Sequence, residues 1–164
     1  MHSNHHTHQH DPLRPHSHDP NPAPPGADPT VRFESPAGSA TPIAVADLQA
    51  LTQVALPECY IVSTGHGTSG PFTFGGPTLL SLIEARLGKD AAWSQVEVVS
   101  ADGFGTRIAR AELTTPADPR AIILACQLDG AALTRQQGLV RLIVPSERDD
   151  ALRQVKWIEV VRVK

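Results

Sequence analysis

From Thr30 onward the chain alternates apolar and polar positions in short runs separated by glycine, proline and Asp-Gly pairs. That punctuation predicts many short strands and few helices. Thr30–Glu34 alternates as a first strand, Ser35–Pro42 is expected to be a loop, and Ile43–Leu51 a strand end running into a short helix, with Asp47 in its first turn. Pro57 is expected to close this unit. Cys59–Thr64 carries Tyr, Ile and Val in succession and predicts a mostly buried strand, followed by a glycine-rich loop at Gly65, Gly67 and Gly70. Leu79, Leu80, Leu82, Ile83 and Leu87 fall at near-helical spacing, with Pro77 suited to the first turn and Gly88 to the stop.

Ser94–Ser100 and Thr106–Arg110 flank Ala101–Gly105, whose Asp102-Gly103 pair is a hairpin signal. Ala111–Leu113 offers a helical turn, and Thr114–Arg120, with two prolines, a surface loop. Ala121–Leu128 is a continuous apolar run, the pattern of a central strand covered on both faces, and Asp129-Gly130 turns the chain. Gly138–Pro145 is a second buried strand, and Val155–Val163 a last one with mixed faces. Strands outnumber helices and no βαβ rhythm appears. The expected class is α+β: β-rich mixed sheets with a few short helices.

Composition splits the chain in two. Of its 164 residues, nine of fifteen prolines and seven of eight histidines lie before residue 43. Residues 1–30 offer too little apolar surface to offset the roughly 1–2 kcal/mol per residue that ordering a backbone costs, and are expected to be a disordered tail. Residues 31–164 are expected to form a single domain. Within the tail, His5, His6, His8 and His10 are spaced so that neutral imidazoles can clamp zinc, nickel or copper, either as a metal-scavenging device or incidentally.

The net charge of −3 and the lack of a basic stripe with interleaved aromatics argue against nucleic acid as a partner. No apolar run approaches the ~20 residues that span a bilayer. The N-terminus lacks the apolar core of a secretory signal, so a cytoplasmic location is the default expectation. Cys59 and Cys126 are too few for a disulfide framework and are expected to be buried free thiols.

Three features carry candidate chemistry. Gly65-His66-Gly67-Thr68-Ser69-Gly70 fits the letters of a dinucleotide fingerprint. That fold needs a helix opening at the third glycine, and Pro71-Phe72-Thr73-Phe74 reads as extended instead. Ser69 lacks the surroundings of a nucleophile elbow. His66, the one histidine of the body, is either a loop residue bonded to nearby backbone or a ligand-facing group.

Arg141 is the most informative position. A guanidinium inside a run of Leu, Val, Leu, Ile and Val needs a partner, since an unpaired buried charge costs several kcal/mol. That partner is either a carboxylate of the body, such as Glu97 or Asp102, or an incoming anion such as a phosphate. Lys156 is either a second cation for that anion or an ordinary edge charge.

These stretches resemble a known family, the molybdopterin-binding oxidoreductase domain of the sulfite oxidase group. The likeness runs from about Ile43 to Lys164. Ile122–Gly130 resembles the family's buried strand ending in an Asn/Asp-Gly turn, and Gln137–Pro145 its H-G-x-P-x-R-L-x-V-P strand. Val155-Lys156-Trp157-Ile158 resembles V-K-W-(L/I), Asp102-Gly103-Phe104 the D-G-Y turn, and Gly76–Ile83 the G-x-x-L-x-x-L-L start of a helix. The resemblance implies a β-rich α+β domain holding the pterin cofactor, which presents molybdenum for oxygen-atom transfer or reduction of small oxidised substrates; whether a separate redox subunit is its partner stays open.

By that resemblance Gln137, Gly138, Arg141 and Lys156 fall among the cofactor contacts, and Thr64, Gly65 and His66 on the metal or substrate side. The departures are specific. Thr64 or a neighbour stands where the family has its molybdenum-binding cysteine, Gln137 where it has histidine, and Val140 where it has proline. Threonine supplies no soft thiolate, so molybdopterin is expected while molybdenum is in doubt. Two classes stay open: an oxidoreductase of this family, or a non-catalytic binding module that keeps the fold without the metal.

Overall fold

The computed structural model describes residues 28–63, 67–115, 120–145 and 155–164. The histidines of the tail, and with them the metal-binding expectation, lie outside the described residues.

Five strands form the larger sheet: β1 (Val31–Glu34), β2 (Ala40–Ile43), β5 (Gln95–Ser100), β6 (Gly105–Ala109) and β11 (Ile158–Val163). Their order is β2-β1-β11-β5-β6, and β1 runs parallel to β11 while the other pairs are antiparallel. The expected loop at Ser35–Pro42 is thus only partly a loop. Its second half returns as β2, because a turn bonded from Gly38 N to Ser35 O aims the chain back along β1.

Val31, Phe33, Val96, Val98, Ile108, Val161 and Val163 point from this sheet into the main core. Helices α1 (Val45–Ala50) and α2 (Leu79–Leu87) cover it with Leu48, Leu79, Leu82 and Ile83. Both helix starts are polar-capped. Asp47 accepts from Ala44 N at 2.8 Å, and Thr78 Oγ1 accepts from Ser81 N at 3.0 Å. Thr78 caps α2, so Pro77 precedes the helix instead of lying in its first turn, while Gly88 ends the helix at φ +89° as expected. A one-turn helix, α3 (Arg110–Thr114), follows β6.

The second unit is a four-stranded sheet, β3 (Val54–Ser63), β4 (Gly67–Gly76), β8 (Gln127–Leu128) and β9 (Ala131–Ala132), in that order. Two sequence expectations fail here. Pro57 does not end an element; it lies inside β3, beside a register shift between Leu56 and Cys59 that lets the strand absorb it. Gly67 and Gly70 are not loop residues but part of β4, paired through Ser63–Gly67 and Ile61–Ser69. Nor is β3 wholly buried, since Tyr60 is 51% exposed.

Ala121–Leu128 also divides. β7 (Ile123–Ala125) pairs with β10 (Arg141–Ile143), and after Cys126 the chain passes to β8 beside β4. The strand expected over Gly138–Pro145 shortens to β10, because Gly138 and Leu139 take positive φ in a turn after Thr134. Ile158–Val163 is likewise shorter than expected, with Trp157 at φ +49° ahead of it.

These two short strands separate two cores. Ile122, Leu124, Val140, Leu142 and Val144 face the main one. On the opposite pleat Ile123, Ala125 and Ile143 join Leu56, Cys59, Phe74 and Leu133 in a smaller one. Arg141, two residues from Ile143, shares its pleat. Among the described residues no helix is long and apolar enough to cross a membrane.

Candidate functional site

Alternation along β10 decides where Arg141 goes. Val140 and Leu142 are drawn to the main core, so Arg141 is turned to the smaller one and is only 4% exposed. There its Cζ lies 5.2 Å from the centroid of the Phe74 ring. Its Nη1 donates to Gln137 O at 3.4 Å, a long bond, and its Nε has no partner. Burial pushes the guanidinium down to about 10.

Neither carboxylate that the sequence offered as a counter-ion reaches it. Glu97 is taken by Arg107, Arg162 and Lys164, and Asp102 accepts from Phe104 N. Among the described residues no acid pairs with Arg141.

Lys156 comes to the same place from the other side. Trp157 N donates to Gly138 O, Ile158 N to Val140 O and Leu142 N to Val155 O, so the segment 155–158 is laid against 138–142 by backbone bonds. The Lys156 ammonium is half-buried, sits 5.9 Å from the Trp157 ring centroid, and is pushed below its ordinary range by burial and then by the charge of Arg141. Two cations thus converge without an acid between them.

Gly138 makes the convergence possible. A Cβ there would lie 3.0 Å from Arg141 Cγ and 3.0 Å from Lys156 Cβ, and its φ of +107° also disfavours a side chain. Gln137 contributes its carbonyl, while its own side chain turns back to accept from Thr134 N.

Of the residues singled out in the sequence, the structure therefore brings together Gln137, Gly138, Arg141 and Lys156. Thr64, Gly65 and His66 lie outside the described residues. The β4 residue that packs on Arg141 is Phe74, seven positions beyond Gly67. Sequence reading missed it, although the alternation Phe72-Thr73-Phe74 signals a strand face carrying both rings inward.

The described cysteines differ in kind from a metal site. Cys59 sits in the smaller core with its Sγ donating to Leu56 O, and burial pushes both its thiol and that of Cys126 up. No three His, Cys, Asp or Glu side chains gather into a metal site among the described residues. The arrangement thus fits the anionic part of a cofactor, through the orphaned Nε and the neighbouring ammonium. It does not itself fit a thiolate-bound metal.

The fold is thus an α+β domain in which, among the described residues, two cations converge beside a glycine with no acid between them. Comparison with known proteins names the class further. Residues 37–164 match the family described as oxidoreductase molybdopterin binding domain, and the chain belongs to that family. Among solved structures it resembles the sulfane dehydrogenase SoxCD from Paracoccus pantotrophus, at 18% identity and a TM-score of 0.61. That match covers 82% of this chain but only 37% of the dehydrogenase chain, so the likeness is one of fold. No curated protein matches. The likeness to the sulfite oxidase group read from the sequence, and the β-rich α+β class, both hold.

Proposed function

We propose that this chain holds a molybdopterin-type cofactor by its anionic group, gripped between Arg141 and Lys156. The observation that carries the reading is a guanidinium 4% exposed, with an unpartnered Nε and a second cation beside it, unpaired with any acid among the described residues. Such a charge is costly to bury alone, and an arriving phosphate supplies the compensation that the protein withholds.

Gln137 anchors the guanidinium through its carbonyl, and Gly138, with no Cβ, lets the stems of both cations pack against its backbone. Thr64, Gly65 and His66 belong to the metal or substrate side of this reading on the strength of the resemblance. When bound, the cofactor supplies two-electron redox chemistry to an oxidoreductase-like domain, with a separate subunit as redox partner. Thr64 or a neighbour, standing where the family has its molybdenum-binding cysteine, favours a second form of the same reading, in which pterin is retained without thiolate-bound molybdenum.

The test is purification of the full chain from a host that makes molybdopterin. Fluorescence of the oxidised pterin is read per chain, alongside elemental analysis for molybdenum. We expect near-stoichiometric pterin in the wild type and its loss in Arg141→Met with the fold retained. Pterin with molybdenum supports the oxidoreductase, and pterin without it the metal-free module. Repeated absence of pterin overturns the reading, and unfolding of Arg141→Met assigns Arg141 to structure instead.

A further inference from the structure

The way Arg141 is held suggests a role for a residue that no motif marks. Phe74 is fully buried in β4, pairs with Leu56 on one side and Leu128 on the other, and packs in the smaller core. Its ring lies 5.2 Å from Arg141 Cζ. We propose that Phe74 is the positioning residue of the anion site, its ring face standing where a counter-carboxylate would otherwise sit.

An aromatic face attracts a guanidinium through its quadrupole, most strongly where water is excluded. Unlike a carboxylate, it leaves the in-plane N–H groups free of strong acceptors. A carboxylate at this position would occupy those donors in a bidentate pair and neutralise the charge. An aliphatic side chain would offer no attraction, and the guanidinium would turn toward water. Only a ring both retains the cation and leaves it available, which agrees with the unpartnered Nε and the long bond to Gln137 O. Lys156 repeats the device less tightly over Trp157, at 5.9 Å.

The inference rests on the reading that Arg141 meets an anion, and the test separates the two. Inorganic phosphate is titrated into the full chain while the arginine Nε–H signals are followed by NMR, the Arg141 signal being assigned by its absence in Arg141→Met. In the wild type that proton is expected upfield of the other arginines, from the ring current of Phe74, and to move as phosphate binds. Phe74→Leu is expected to weaken phosphate about tenfold while lowering the melting temperature by the few degrees that any such core truncation costs, and Phe74→Tyr to restore most of the lost affinity. Binding in Phe74→Leu equal to wild type, with binding abolished in Arg141→Met, overturns the role of Phe74 alone. Wild-type affinity in Arg141→Met overturns the anion reading beneath it. Should Phe74→Leu fail to fold, the wild-type spectrum decides, because an Arg141 Nε–H without an upfield shift excludes the ring contact.

Discussion

Among the described residues two charged side chains are buried, and the protein treats them in opposite ways. Glu97, on the outward face of the five-stranded sheet, has a side chain only 2% exposed and is met by Arg107 at 3.2 Å, Arg162 at 3.4 Å and Lys164 at 3.0 Å. Arg162 also grips Glu34, and Glu34 holds Arg32, so one network ties β1, β11, β5 and β6 together. Arg141, in a strand of similar burial, receives a ring face and one long carbonyl contact. The carboxylate is covered by cations on neighbouring strands that a fold of this register places there automatically. The guanidinium, paired across the strands with Ala125 and lying over Phe74, meets no acid among the described residues. Compensation within the chain marks a structural charge. Its absence around Arg141, among the described residues, is the ground on which the anion site is proposed.

Stability measurements break or sharpen this contrast. The largest effect is expected from Glu97→Gln, which leaves three cations facing a neutral amide. Loss of a buried charge partner costs about 3–5 kcal/mol when all members are buried. Here the cations are a third to a half exposed, so about 2 kcal/mol is expected in urea unfolding. A loss below about 0.5 kcal/mol would remove the structural role assigned to Glu97.

Arg141→Met should change sign. Replacing an uncompensated buried charge by an apolar side chain of similar length is expected to stabilise the cofactor-free chain by about 1 kcal/mol. A destabilisation as large as that of Glu97→Gln would show that the two sites are alike after all.

A smaller effect is expected from pH. Burial pushes the Glu97 carboxyl up, but Lys164, Arg162 and Arg107 outweigh it and hold it below its ordinary range; Arg162 does the same for Glu34. Their stabilisation is complete above the unfolded carboxylate value of about 4.5 and is lost as pH falls through the lower folded values. Arg141 works in the other direction. With its folded value pushed down to about 10, burial destabilises the fold at every pH below that and is relieved only above it. Urea midpoints between pH 7 and 3 should therefore fall less steeply in the double variant Glu34→Gln, Glu97→Gln. Arg141→Met should leave the acid slope unchanged. Equal slopes in the double variant and wild type would place the acid sensitivity elsewhere.

What the sequence by itself determined was local. The strand–turn–strand at Asp102-Gly103, the helix ending at Gly88, the buried thiols and the oddity of a cation at Arg141 follow from periodicity, turn chemistry and the cost of burying charge, all visible within a few residues. The family likeness was legible for the same reason, since its motifs are short. Pairing decisions were not legible. Whether Pro36–Pro42 returns as a strand, whether Ala121–Leu128 stays whole or changes neighbour at Cys126, and whether Gly67 and Gly70 lie in a loop or a ladder depend on partners far along the chain. The nature of the Arg141 site belongs to the same class. Its acid, had there been one, would have come from another strand, and Phe74 and Lys156 reach it only because β4 and the segment 155–158 are brought alongside β10. Sequence can state that a buried charge needs compensation, but only the packed chain shows whether the protein provides it.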